Sequence, residues 1–76
     1  MGGVRPISWR TFEKFLIHAG CYLKRERGDH LVYTRPGLSR PIIVKKVKDL
    51  PIFIIMNNLR VLGISVEEYL QEIGKE

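Results

Sequence analysis

The dipeptide Gly28-Asp29 constrains the fold of this chain more than any other feature. It stands between two runs rich in strand formers, residues 21–27 and 30–35. A two-residue Gly/Asp loop between such runs reads as a β-hairpin. Leu31, Val32, Tyr33 and Thr34 all favour extended backbone. Pro36-Gly37 marks a further turn, and residues 41 to 44 or 47 then give a third strand. The middle of the chain is therefore expected to be a three-stranded antiparallel meander. Alternation in the second strand is imperfect. If Leu31 and Tyr33 point inward, His30, Val32 and Thr34 share the outer face. The opposite choice buries His30 or leaves it at the rim.

Helical signals flank the meander. Residues 1–7 read as a flexible lead-in, and Ser8 is a good N-cap for a helix running to about Ala19. Trp9, Phe12, Phe15, Leu16 and Ala19 fall on one stripe at helical spacing, a core face. His18 reads as a surface residue at the carboxyl end of this helix, and Gly20 ends it. Asp49 is placed to cap a second helix with Pro51 in its first turn, ending at Gly63. Ser65-x-x-Glu68 forms a capping box for a short third helix whose apolar face is Val66, Tyr69, Leu70 and Ile73. No linker or repeat interrupts the order α-β-β-β-α plus a terminal helix. That order predicts an α+β fold, one domain over residues 1–76 with helices packed on one face of the sheet.

A chain of 76 residues buries only about 60% of its unfolded surface, and its core supplies roughly 3–5 kcal/mol without a staple. Cys21 is the only cysteine, so no internal disulfide forms; with two well-separated histidines it offers no metal cluster either. No metal or cofactor is expected. The lone thiol fits a reducing compartment, hence the cytoplasm. The amino terminus Met1-Gly2-Gly3-Val4-Arg5-Pro6 lacks the apolar segment of a signal peptide, and Pro6 stands where a myristoylation signal needs Ser or Thr. The longest apolar run, Ile52-Phe53-Ile54-Ile55-Met56, is far too short to span a membrane.

The formal net charge is +5, and it is unevenly spread. Residues 24–48 carry Lys24, Arg25, Arg27, Arg35, Arg40, Lys45, Lys46 and Lys48 against only Glu26 and Asp29. Residues 49–76 reverse the balance, with Asp49, Glu67, Glu68, Glu72 and Glu76 against Arg60 and Lys75. A basic block on a small domain is an electrostatic footprint for nucleic acid; the plainer reading is a solvated sheet face. At the centre of the block stands His30, leaving a tight turn at the start of a strand. Imidazole is the side chain best suited to moving protons near neutral pH. RNA brings its own nucleophile, the 2′-hydroxyl, so a minimal ribonuclease needs only positioning, proton transfer and charge stabilisation. His30 is the candidate for proton transfer. Lys24, Arg25, Arg27, Arg35, Lys45 and Lys46, with Gly28 in the turn, are the candidate RNA-binding set, arginine's planar fork suiting phosphate best. No second proton-transfer group is identified, which predicts a slow enzyme.

With these elements in order, the chain from Arg5 to about Ile73 resembles the HicA (YcfA-like) family of small mRNA-interferase toxins. Arg25-Glu26-Arg27-Gly28-Asp29-His30 is similar to that family's Arg-x-x-Gly-Ser-His segment. Arg5-Pro6-Ile7-Ser8, Ala19-Gly20-Cys21-Tyr22-Leu23, Val32-Tyr33 and Pro36-Gly37 follow the family in register, as does Gly63-Ile64-Ser65-Val66-Glu67-Glu68-Tyr69-Leu70. The resemblance implies a fold like the double-stranded-RNA-binding domain, mRNA cleavage without a metal, His30 as the catalytic residue, and neutralisation by a HicB-type antitoxin.

Two positions depart from the pattern. Asp29 stands where the family has serine. A carboxylate beside an imidazole favours its charged form; that suits a general acid, handicaps a general base and adds repulsion toward phosphate. The second departure is the run Ile52-Phe53-Ile54-Ile55-Met56, where relatives are more polar. Five consecutive apolar residues cover every side of a helix. Ile52, Phe53, Ile55 and Met56 are therefore a candidate partner surface, for a homodimer or an antitoxin, unless the core absorbs the run. Two alternatives to the toxin stand beside it: a non-catalytic RNA-binding module, and a protein-interaction domain using the apolar second helix.

Overall fold

The computed structural model describes residues 3–74, in the order α1 (Trp9–His18), β1 (Tyr22–Arg27), β2 (His30–Thr34), β3 (Ile42–Lys45), α2 (Ile52–Leu62) and α3 (Val66–Ile73). Ser8 caps α1, its hydroxyl accepting from the Arg10 N–H at 3.2 Å. The capping box forms as expected. Ser65 Oγ accepts from the Glu68 N–H at 3.1 Å, and the Glu68 carboxylate accepts from the Ser65 N–H at 3.4 Å. Gly63 ends α2 at φ 71°, a left-handed conformation that favours glycine.

The start of α2 departs from expectation. Pro51 is the N-cap and Asp49 caps nothing. The cause lies one residue earlier. Leu50 is buried, and its N–H donates to the Ile7 carbonyl at 2.7 Å. The chain therefore stays extended through Pro51 before it coils, which leaves Asp49 too early to reach the first turn. The same contact fixes the end of the expected lead-in. Ile7 bridges to Leu50, the Trp9 N–H donates to the Val47 carbonyl at 3.1 Å, and Val4 and Ile7 pack on the core. Met1 and Gly2 lie outside the described residues.

The three strands form one antiparallel sheet in the order β1-β2-β3. Leu31 and Tyr33 of β2 and Ile42 and Val44 of β3 point inward. They meet Phe12, Phe15 and Leu16 of α1, Ile55, Leu59 and Leu62 of α2, and Tyr69 of α3. All three helices thus contribute to a core on one face of the sheet, the arrangement of a double-stranded-RNA-binding domain.

Two expected surface residues belong to this framework instead. Ile55 was a candidate for the partner surface, yet it is fully buried. The apolar run coils as a helix, and its inward stripe of Ile55, Leu59 and Leu62 begins inside the run. Arg35 was a candidate for phosphate contact. Its guanidinium instead donates to the Ala19 carbonyl at 2.7 Å and to the Leu62 carbonyl at 2.9 Å. It satisfies acceptors at the carboxyl ends of both α1 and α2 and ties the two helices together.

Two tyrosines make the fold sensitive to alkali. Burial pushes the Tyr69 hydroxyl up to about 12, and it has no hydrogen-bond partner among the described residues. Tyr33 is raised by burial and then by donating its hydroxyl to the Glu13 carboxylate. An unfolded tyrosine ionises near about pH 10, so above that the native state holds more protons than the unfolded one and stability falls as pH rises. Urea midpoints should stay level up to about pH 10 and decline beyond it, and Tyr69→Phe should make the decline shallower.

Candidate functional site

The register of β1 decides which charges share a face with His30. Tyr22 pairs with Thr34 and Leu23 with Tyr33, but then Arg25, not Lys24, pairs with Val32. One extra residue, Lys24, is taken up as a bulge. Strict alternation from Tyr22 would have put Lys24 and Glu26 on the outer face; the slip replaces them with Arg25 and Arg27. The outer face then reads in rows: Arg27, His30 and Lys45 opposite one another, next Arg25, Val32 and Ile43, and finally Tyr22 with Thr34. Cross-strand side chains stand roughly 4.5–5.5 Å apart at Cβ. Arg27 and Lys45 therefore flank the imidazole directly, on the face the helices do not cover.

The turn places His30 at the corner of this face. Gly28 adopts φ 60° at the first position of the two-residue loop, as a tight hairpin turn requires of glycine there. The His30 side chain is 55% exposed, with Nδ1 3.0 Å from Asp29 Oδ1. Asp29 Oδ2 lies 3.9 Å from Lys45 Nζ. Nδ1 is the ring nitrogen beside the carboxylate, so Nε2 is the candidate to take or give a proton. Asp29 is thus a bridge between the imidazole and the ammonium group as well as a negative charge close to the site.

The remaining candidates separate. Lys24 sits exposed in the bulge without a cross-strand partner. Lys46 turns away from His30: its ammonium pairs with Glu26 and lies 5.9 Å from the centre of the Trp9 ring. Glu26 is opposite the buried Leu31 and so points to the helix side, and Lys46 follows it there rather than serving the outer face. Of the expected partner surface, Ile52 and Phe53 are open, Phe53 at 64%, while Met56 is half-buried. His18 pairs with Glu72 at 2.9 Å and joins α1 to α3, away from the hairpin turn. Among the described residues, no group of three or more His, Cys, Asp or Glu side chains could hold a metal ion.

One feature is unforeseen by sequence reasoning. A groove of about 490 Å³ opens beside His30 and Lys45, walled by Ile43 from β3 and by Pro51, Phe53 and Ile54 at the start of α2. It joins the candidate catalytic residue to the exposed apolar run. The available signal was Ile43, an apolar residue at an outward position beside Lys45, and 52% exposed in the fold.

A family model described as "HicA toxin of bacterial toxin-antitoxin" matches residues 9–64, a span that includes the hairpin, His30 and the groove. Neither the curated proteins nor the solved structures compared with the chain give a match.

Proposed function

Because this chain belongs to the HicA toxin family of bacterial toxin-antitoxin systems, we propose that it is an endoribonuclease that cuts mRNA without a metal, with His30 moving the proton. The observation that carries this reading is the outer row of Arg27, His30 and Lys45, an open imidazole between a guanidinium and an ammonium group. The 2′-hydroxyl beside the scissile phosphate attacks phosphorus as the bond to the 5′-oxygen breaks, so the proton lost by the 2′-oxygen is balanced by the one the departing 5′-oxygen takes up. His30 Nε2 exchanges the proton, and Arg27 and Lys45 offset the charge that gathers on the phosphoryl oxygens in the transition state. Arg25, one row further along, holds the next phosphate. Neutralisation by a HicB-type antitoxin in the bacterial cytoplasm belongs to the same reading. No helix among the described residues is long and apolar enough to cross a membrane.

The second reading is a non-catalytic RNA-binding module. It is favoured by Asp29, whose carboxylate touches the imidazole and repels an approaching phosphate. One experiment separates the two. Purified protein incubated with mRNA in excess EDTA should still cut it. RNA affinity should fall with salt at a slope of about −2 in log–log form, as three cations on a single strand imply. Binding with that slope but no cleavage would favour the module. Cleavage that stops with EDTA and returns with a divalent ion would end the metal-free reading.

A further inference from the structure

We propose that the groove beside His30 is a nucleobase subsite, taking one unpaired base of the RNA next to the phosphate that is cut. The proposal deepens the ribonuclease reading and rests on it for the word "cut". The binding claim stands on the groove alone. The groove has two unlike ends. Its sheet side carries His30 and Lys45, cationic or proton-bearing groups that suit a phosphate. Its helix side is apolar: Pro51, Phe53 and Ile54 line it together with Ile43 of β3. Asp49, in the segment between β3 and α2, is the anionic group in the lining. A molecule with one anionic and one flat apolar part matches this division, and a nucleotide is such a molecule.

Size and chemistry favour a single nucleotide over a protein. About 490 Å³ is within the usual range for a small-molecule site, and the lining is mostly apolar with a few polar groups to orient the ligand. A stable protein interface engages roughly 20–30 residues a side, far more than this groove presents. Phe53 is 64% exposed, and an open aromatic ring next to a phosphate-binding edge is how unpaired bases are held in single-stranded RNA. Other charged groups near the His30 end are Arg27 from β1, and Asp29 in the turn, which is in contact with the imidazole. Neither lines the groove. The subsite fixes which nucleotide sits beside His30 and thereby contributes to where the RNA is cut.

The test uses the full chain and small probes that contain no scissile bond. Adenosine 5′-monophosphate and ribose 5-phosphate are titrated separately and followed by NMR. The base-bearing probe should shift the Phe53 ring and the Ile43 and Ile54 methyl groups as well as His30. Ribose 5-phosphate should shift His30 and Lys45 and leave the apolar wall unchanged. Phe53→Ala should weaken the base-bearing probe by roughly 5- to 140-fold and ribose 5-phosphate hardly at all; Phe53→Tyr should restore the difference. Identical shift patterns for the two probes would overturn the proposal. So would shifts of the apolar wall that depend on protein concentration with no probe present, since a second copy would then be the occupant. Base-dependent shifts in a protein that does not cleave would keep the subsite and remove the nuclease; cleavage without base-dependent shifts would do the reverse.

Discussion

Replacing His30 with alanine is expected to slow RNA cleavage by roughly 10²- to 10⁴-fold, the usual contribution of a positioned proton-transfer group, while RNA affinity changes little. The two effects separate because they depend on different groups. In the proposed function affinity rests on Arg25, Arg27 and Lys45, which the substitution leaves on the outer face. The fold should also survive. His30 is exposed at the first position of β2, and its side chain is absent from the core. The corner position adds a sharper check. Alanine leaves an open space beside Nε2's former place, so free imidazole added to His30→Ala should recover part of the lost rate in proportion to its concentration. A merely structural histidine would show no such recovery. Single-turnover rates and filter-binding affinities on one RNA, with and without imidazole, measure all of this. Undiminished cleavage by His30→Ala would remove the residue from the mechanism, and a matched loss of affinity would make it a binding group only.

The parts of the structure that local chemistry specifies were legible in the sequence. Ser8 and Ser65 each carry a hydroxyl that meets a specific N–H two or three residues on, and Gly28 and Gly63 mark backbone turns that favour glycine. Such signals act within one turn of chain, so they survive in a linear reading. What was not legible depends on partners distant in sequence. Arg35 reads as one more cation, because the carbonyls it bridges lie 16 and 27 residues away. Lys46 reads like Lys45 until Glu26 and Trp9 are brought to the helix side. The bulge at Lys24 leaves no local mark, since Lys, Arg, Glu and Arg suit either face of an edge strand. Yet that one-residue slip puts Arg25 and Arg27, rather than Lys24 and Glu26, beside His30. Ile55 was hidden by a run with no periodicity of its own. The groove needs Ile43 and Phe53 together, and only the packing of β3 against α2 supplies that.

The largest stability loss should follow Phe12→Ala, set against a near-neutral Phe53→Ala. Phe12 is fully buried and belongs to a group of three aromatic rings. Its ring centroid is 5.8 Å from that of Phe15 and 6.2 Å from that of Tyr69, and Phe15 and Tyr69 meet edge to face at 4.9 Å. These three rings join α1 to α3. Removing the Phe12 ring deletes its own burial and leaves a cavity that two neighbouring rings border and cannot fill without losing their contact. Such truncations cost about 3–5 kcal/mol. A chain of this size without disulfide or metal holds only roughly 3–5 kcal/mol in total, so the variant should be largely unfolded at 25 °C and should lose its thermal transition in circular dichroism. Phe53 has the same side chain but stands mostly in solvent, where truncation usually changes stability by no more than about 0.5 kcal/mol. A large loss for Phe53→Ala would mean the ring is part of the fold rather than of a binding surface. A small loss for Phe12→Ala would mean that the aromatic group can repack, and that the junction of α1 with α3 rests instead on contacts such as the His18–Glu72 pair.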